Sequence, residues 1–223
     1  MPDSTPRRLP RGRHALAREE VRRIHRTRLC TAMAEVMAEK GYVGTSVADV
    51  LQRAVVSRQS FYDLFGSKLD CFMAAFEGAG QLLLERLTRE IGDAGAPGEG
   101  ARDDRLELCE RAITAYLRAL AEELPFARLF LVEVYAAGPE AIRRRSLLQE
   151  VISDALADLT GSADQATRFT CRMIVAATSA MVTAPVAERD PEALLALGPP
   201  LIEHVRVLWR AGVLGTGSEV PSS

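Results

Sequence analysis

The 223-residue chain has little that would support redox, metal or covalent chemistry. Its four cysteines, Cys30, Cys71, Cys109 and Cys171, stand far apart in sequence, with no CxxC pair and no histidine cluster beside them. Neither a zinc site nor a disulfide framework is therefore indicated, and a reducing cytoplasm is the expected location. The three histidines, His14, His25 and His204, are scattered. No Ser/His/Asp set, no carboxylate pair at catalytic spacing and no phosphate-cradling glycine loop is present, so no enzyme, cofactor or metal site is expected. The basic N-terminus lacks the apolar run of a signal peptide. The most apolar stretch, MIVAATSAMVTAPVA, reads as too short and too interrupted to span a bilayer, so no membrane partner is expected. Sustained strand alternation and internal repeats are missing as well.

What is present is a charge asymmetry hidden by a net charge of −2. Residues 1–68 carry 13 Lys+Arg against 7 Asp+Glu, and residues 69–223 carry 15 against 23. A basic end on an acidic body suits contact with a polyanion through the basic end alone. An inconsequential basic tail is the plainer alternative.

Helical periodicity fills the rest, and the fold class is all-α. Residues 1–17 are rich in Pro, Arg and Gly and read as a flexible basic arm. Arg7, Arg8, Arg11 and Arg13 in it suit minor-groove or phosphate contacts, or a tail that raises affinity everywhere. Leu29, Ala32, Met33, Val36 and Met37 form one stripe of a long first helix that Gly41 should stop. Ser46 with Asp49 makes an S-x-x-D capping pattern ahead of a second helix striped by Val47, Val50, Leu51 and Ala54. Ser57 caps a third. Ser67 with Asp70 opens a long fourth, running to about Ile91, with Leu69, Phe72, Met73 and Phe76 on one face. The expected divisions are 1–17 arm, 18–76 three-helix unit, 77–214 second helical domain and 215–223 disordered tail. Within the second domain, 92–104 reads as a linker. Five further runs end at Pro125, Gly138-Pro139, Gly161, Pro185 and, after a kink at Gly198-Pro199-Pro200, near Gly212.

The second and third helices are separated by three or four residues, which is helix-turn-helix spacing. Wound at about 100° per residue, Ser57–Phe65 puts Phe61, Leu64 and Ser60 on one arc and Arg58, Gln59, Tyr62 and Asp63 on the other. Arg and Gln make bidentate bonds to guanine and adenine edges. The hydroxyls of Ser57, Ser60 and Tyr62 suit phosphates or bases, Lys68 suits a phosphate, and Thr45 and Ser46 sit at the amide-rich start of the second helix. Solvated residues of a small three-helix unit would look the same, because this spacing also arises by chance.

The run AEVMAEKGYVGTSVADVLQRAVVSRQSFYDLFGSKLDCF resembles the N-terminal DNA-binding domain of TetR-family transcriptional regulators. The shared features are GY before TSV, the helix DVLQRA, the VS cap, FYDLF, and SK at the start of the next helix; the likeness covers about residues 21–76. It implies a ligand-responsive, most often repressing, homodimeric regulator that binds a palindromic operator in double-stranded DNA. The helix at Ser57–Leu64 would enter the major groove, with Arg58, Gln59 and Ser60 at bases, and Tyr62, Lys68 and Thr45 at phosphates. The last two helices, about 163–187 and 191–211, would pair across a two-fold axis, where Ala176, Ala177, Ser179 and Ala180 suit close approach. A small-molecule effector would occupy a cavity among the middle helices. Tyr116, Phe126, Phe130, Glu133, Tyr135, Arg172 and Thr178 are its candidate residues, with Glu133 and Arg172 foremost because charges on apolar helices need partners. The competing reading is an all-α ligand-binding or interaction protein that no longer binds DNA specifically. One departure stands out: the family usually has glycine in the turn, where this chain has Val55. A β-branched residue in the left-handed region would be strained.

Overall fold

The computed structural model describes residues 12–92, 102–162 and 164–215. All regular structure among them is helical: α1 Gly12–Gly44, α2 Val47–Ala54, α3 Arg58–Tyr62, α4 Lys68–Gly92, α5 Arg102–Glu122, α6 Leu124–Arg128, a π-helical turn Leu129–Glu133, α7 Val134–Ala137, α8 Pro139–Thr160, α9 Gln165–Glu188, α10 Pro191–Ala196 and α11 Gly198–Arg210.

Most boundaries follow from local chemistry. Gly41 breaks α1 with φ 70° and ψ 167°, as its place after the apolar stripe suggests. Ser46 and Asp49 form the full capping box. The Ser67 hydroxyl accepts the Asp70 amide at the start of α4, and Gly161 closes α8 in the left-handed region.

Four boundaries differ from the expectation. The first helix starts at Gly12, so residues 12–17 are helical, while residues 1–11, with Arg7, Arg8 and Arg11, lie outside the described residues. Of the linker at 92–104, residues 93–101 also lie outside, and Arg102–Asp104 already belong to α5. The run from Phe126 to Ala137 is not one α-helix, because a π turn is inserted at Leu129–Glu133. Pro185 does not stop α9; the helix runs on to Glu188 and ends where Arg189 turns left-handed. At 24 residues, α9 meets the length and apolarity needed to cross a bilayer, against the expectation from its C-terminal half. It packs along α8.

One apolar core runs through both halves. Leu29, Met33 and Met37 of α1 meet Val50 of α2, Phe61 of α3 and Phe72 of α4, all fully buried. Aromatic contacts carry this core onward: Tyr42 edge-on to Phe72 at 5.4 Å, Phe72 beside Phe76, and Phe76 edge-on to Phe130 at 4.6 Å. Phe61 is the pin of α3. A five-residue helix has no independent stability, so truncating Phe61 to Ala, at a cost of about 3–5 kcal/mol, would release it.

Candidate functional site

The helix-turn-helix unit is built from a few local bonds. Asp49 accepts the Ser46 amide and hydroxyl and an N–H from Lys40 at 2.6 Å. The Lys40 bond first, and then the two Ser46 bonds, hold its carboxyl well below the usual carboxylate range. Arg53 reaches back to Glu39 and Glu35, tying α2 to α1. The chain then reverses at Val55, whose φ of 55° and ψ of 48° are left-handed. The unusual residue thus occupies the usual turn. Its side chain is 82% exposed, so no packing compensates the strain. Ser57 restarts the helix by accepting the Ser60 amide and donating to the Ser60 hydroxyl.

The result is a short α3 with its apolar side sunk and its polar side bare. Arg58, Gln59 and Ser57 are exposed, Ser60 is half-buried, and Tyr62 is 51% exposed. Ser46 is exposed at the α2 cap. Two expected contacts need correction. Thr45 is 3% exposed and its hydroxyl donates to Gly41 O at 2.7 Å, so it faces the core and not a phosphate. Lys68 donates to Tyr42 O and Thr45 O at 2.8 and 2.9 Å and lies over the Tyr42 ring. Two of its three N–H donors therefore clamp the end of α1 to the start of α4, which leaves one for any outside partner.

The sequence reading missed a second cationic strip. A groove of about 450 Å³ lies beside α3, formed by Arg18, Val21, Arg22 and His25 of α1 with Ser60, Asp63 and Leu64. Arg22 donates to the carbonyl at the α3 C-cap, Asp63 O. Arg26 lies 5.3 Å over the Phe65 ring. Residues 18–24 have no buried member, so this part of α1 projects as a helix with open sides. The clue was the spacing of Arg18, Arg22 and Arg26 at four-residue intervals, which puts them on one face.

Two cavities flank the distal half of α4. The first, about 320 Å³, lies between α4, α5 and α6, with Phe126 and Phe130 in its wall and Arg86 and Arg89 among the polar groups around it. The second, about 140 Å³, lies between α4, α5, α8 and α9; Leu84, Leu87, Ile113, Ile152, Leu156 and Ile174 form its apolar wall, and Tyr116 and Thr178 also face it. Four of the seven candidate ligand residues thus line a cavity, and three do not. Arg172 is exposed on α9. Tyr135 is 53% exposed, beneath Arg145. Glu133 is buried but structural: it accepts the Tyr42 amide at 2.8 Å and an N–H from Arg128 at 3.1 Å. Arg128 donates in turn to Val186 O and Ala187 O at the end of α9. The two charges singled out for the cavity therefore line neither one. The partner of Glu133 lies 91 residues away in sequence, beyond any local pattern.

The thiols offer no chemistry. Cys71, Cys109 and Cys171 are buried and Cys30 half-buried, and all four are free. Burial pushes Cys30 and Cys171 up to about 11 and Cys109 up to about 12. Among the described residues no cluster of three or more His, Cys, Asp or Glu could hold a metal ion.

Residues 29–75 match the family described as bacterial regulatory proteins, tetR family. YezE, an HTH-type transcriptional regulator of Bacillus subtilis (strain 168), is 36% identical over 105 residues, 41% of this chain. The matched part spans only half the length of that relative. Among solved structures, the fatty acid degradation regulator FadR from Bacillus halodurans superposes with a TM-score of 0.69 at 19% identity, over 81% of this chain and 94% of its own. FadR from Bacillus subtilis, solved with stearoyl-CoA, gives 0.66 at 20% identity, over 80% and 96%. Identities this low establish a shared fold and nothing finer. The match to the tetR family of bacterial regulatory proteins thus lies in the helix-turn-helix segment Leu29–Ala75, and the likeness over most of the chain is one of fold.

Proposed function

We propose that the protein is a ligand-responsive, DNA-binding transcriptional regulator, a cytoplasmic homodimer that represses from a palindromic operator. The observation that carries this reading is the polar side of α3. Arg58 and Gln59 stand exposed on a helix whose opposite side is pinned by the fully buried Phe61. A guanidinium and an amide carried outward on that helix fit the edges of guanine and adenine. The hydroxyls of Ser57, Ser60, Tyr62 and Ser46 fit the sugar-phosphate frame, with the last free donor of Lys68 beside them. A monomer would read one half-site only, so two-fold pairing goes with this reading. Supporting it, α9 leaves Phe169, Met173 and Met181 exposed, with Ala176, Ala177 and Ala180 between them.

Effector response follows from α4. Its first half, with Cys71, Phe72, Ala75 and Phe76, is buried in the core shared with α1. Its second half walls both cavities, with Leu83 and Arg86 toward one and Leu84 and Leu87 toward the other. An effector that favours one tilt of α4 changes the separation of two recognition helices, which must lie about 34–36 Å apart to dock on successive turns. It shifts that equilibrium only by its difference in affinity for the two tilts.

Selection of bound DNA from a random pool tests the reading. A palindromic consensus, lost in the Arg58→Ala/Gln59→Ala variant, is the expected result. Absence of any enriched sequence would replace it with an all-α ligand-binding or interaction protein.

A further inference from the structure

The second cavity has an uncharged lining: none of the residues that form it is Asp, Glu, Lys or Arg. Most of its surface is branched aliphatic, from α4, α5, α8 and α9. Its polar groups include Tyr116 of α5, Gln149 of α8 and Ser179 of α9. Behind them stands Arg145 of α8. Its guanidinium donates to Ser179 Oγ at 2.7 Å and to Gln149 Oε1 at 3.3 Å, and it lies 5.5 Å from the Tyr135 ring centre. It is half-buried, and no carboxylate pairs with it among the described residues. Its neighbour Arg144 takes the nearby acid, Glu77.

The hydrogen-bonding pattern has a direction. Arg145 uses the acceptor oxygens of Gln149 and Ser179. With one lone pair of each oxygen taken, both residues keep protons to offer the cavity: the amide N–H of Gln149 and the hydroxyl of Ser179. The hydroxyl of Tyr116 makes no hydrogen bond among the described residues. Burial pushes its pKa up to about 12, with the charge of Arg145 opposing, so it remains a donor. Three neutral donors backed by one unneutralised cation form a site for an acceptor that carries negative charge. The remaining wall accepts hydrocarbon.

We infer that this cavity binds an amphiphilic carboxylate, its aliphatic tail along the Leu and Ile wall and its head among Tyr116, Gln149 and Ser179 with Arg145 as counter-ion. The inference rests on the effector reading of the cavity and assigns it a ligand class. It is tested without DNA, so its failure leaves the DNA-binding reading to stand or fall by the selection experiment.

The test is isothermal titration of the full-length protein with decanoate, decanol and decylamine as matched probes. Decanoate is expected to bind at least tenfold more tightly than decanol, and decylamine not at all. Arg145→Gln should remove the preference for decanoate over decanol while leaving decanol binding within about twofold. Tyr116→Phe, which keeps the ring and removes one donor, should weaken decanoate severalfold and serves if Arg145→Gln does not fold. Equal binding of acid and alcohol, tight binding of the amine, no binding of any probe, or an unchanged preference in the folded variants would each overturn the assignment.

Discussion

Val55 offers a measurement of backbone strain free of packing effects. Its left-handed conformation costs an L-residue about 1–2 kcal/mol relative to glycine. Glycine in its place would lose about 0.5–1 kcal/mol through the greater freedom of the unfolded chain. The side chain is 82% exposed, so the covered fraction of a valine contributes only about 0.3 kcal/mol. Val55→Gly should therefore be neutral to stabilising, by about 0–1 kcal/mol, with operator binding unchanged. Val43 supplies the control. It is 83% exposed in the last turn of α1 and is not among the left-handed residues. There is no strain to relieve there, so Val43→Gly should destabilise by about 0.5–1 kcal/mol. Urea unfolding followed by circular dichroism at 222 nm reads both variants on one scale. The gap between them, about 1–2 kcal/mol, is the strain itself. Equal losses in the two variants would refute the claim that Val55 is strained.

Four further outcomes are expected. Arg58→Ala and Gln59→Ala should each cost about 1–3 kcal/mol in specific DNA binding, measured by fluorescence anisotropy, with unchanged unfolding curves because both side chains are exposed. Arg18→Ala/Arg22→Ala should weaken binding evenly across sequences and lower the slope of log K against log salt by about 0.9 per lost phosphate contact; an unchanged slope would take the α1 strip out of the interface. Glu133→Ala leaves the half-buried Arg128 without its acid and should cost about 3–5 kcal/mol in urea unfolding, with Glu133→Gln milder because it still accepts the Tyr42 amide. The lowered pKa of Asp49 means its contribution is complete above the unfolded carboxylate range, near about 4, and is lost as pH falls through the lower folded value. Asp49→Asn should therefore be less stable at neutral pH, with the gap to the parent closing on acidification.

The parts that were legible in the sequence are those whose cause lies within one or two helical turns. The Ser46-Asp49 and Ser67-Asp70 caps, the stop at Gly41 and the division of α3 into a Phe61 side and an Arg58 side all depend on neighbours a few residues apart. Thr45 misled because its type and place suit a phosphate contact, whereas its hydroxyl turns back one turn to Gly41 O. Lys68 misled because its carbonyl partners lie 23 and 26 residues upstream. Glu133 was rightly singled out as a charge needing a partner, but sequence does not say whether that partner is a ligand or the chain itself. The cavity residues were half legible. Tyr116 and Thr178 come together only when α4, α5, α8 and α9 converge, and Arg145 sat unnoticed in a run of three arginines whose members face different ways. The π turn has no such signature, since its apolar sequence suits an ordinary helix equally well.

The bond from Glu133 to the Tyr42 amide bears on how separable the two halves are. A fragment ending at Gly92 would keep the helix-turn-helix yet lose the carboxylate that accepts the Tyr42 amide and the Arg189 side chain that caps Ala38 O. Phe76 would lose the ring of Phe130 as well. Such a fragment should be a poor reporter of the intact protein's operator affinity. A chimera that grafts this recognition unit onto another regulatory body needs an acid at the position of Glu133 as much as a matching α4. The seam of the molecule is thus a set of bonded partners, and exchange of modules across it is limited to bodies that supply them.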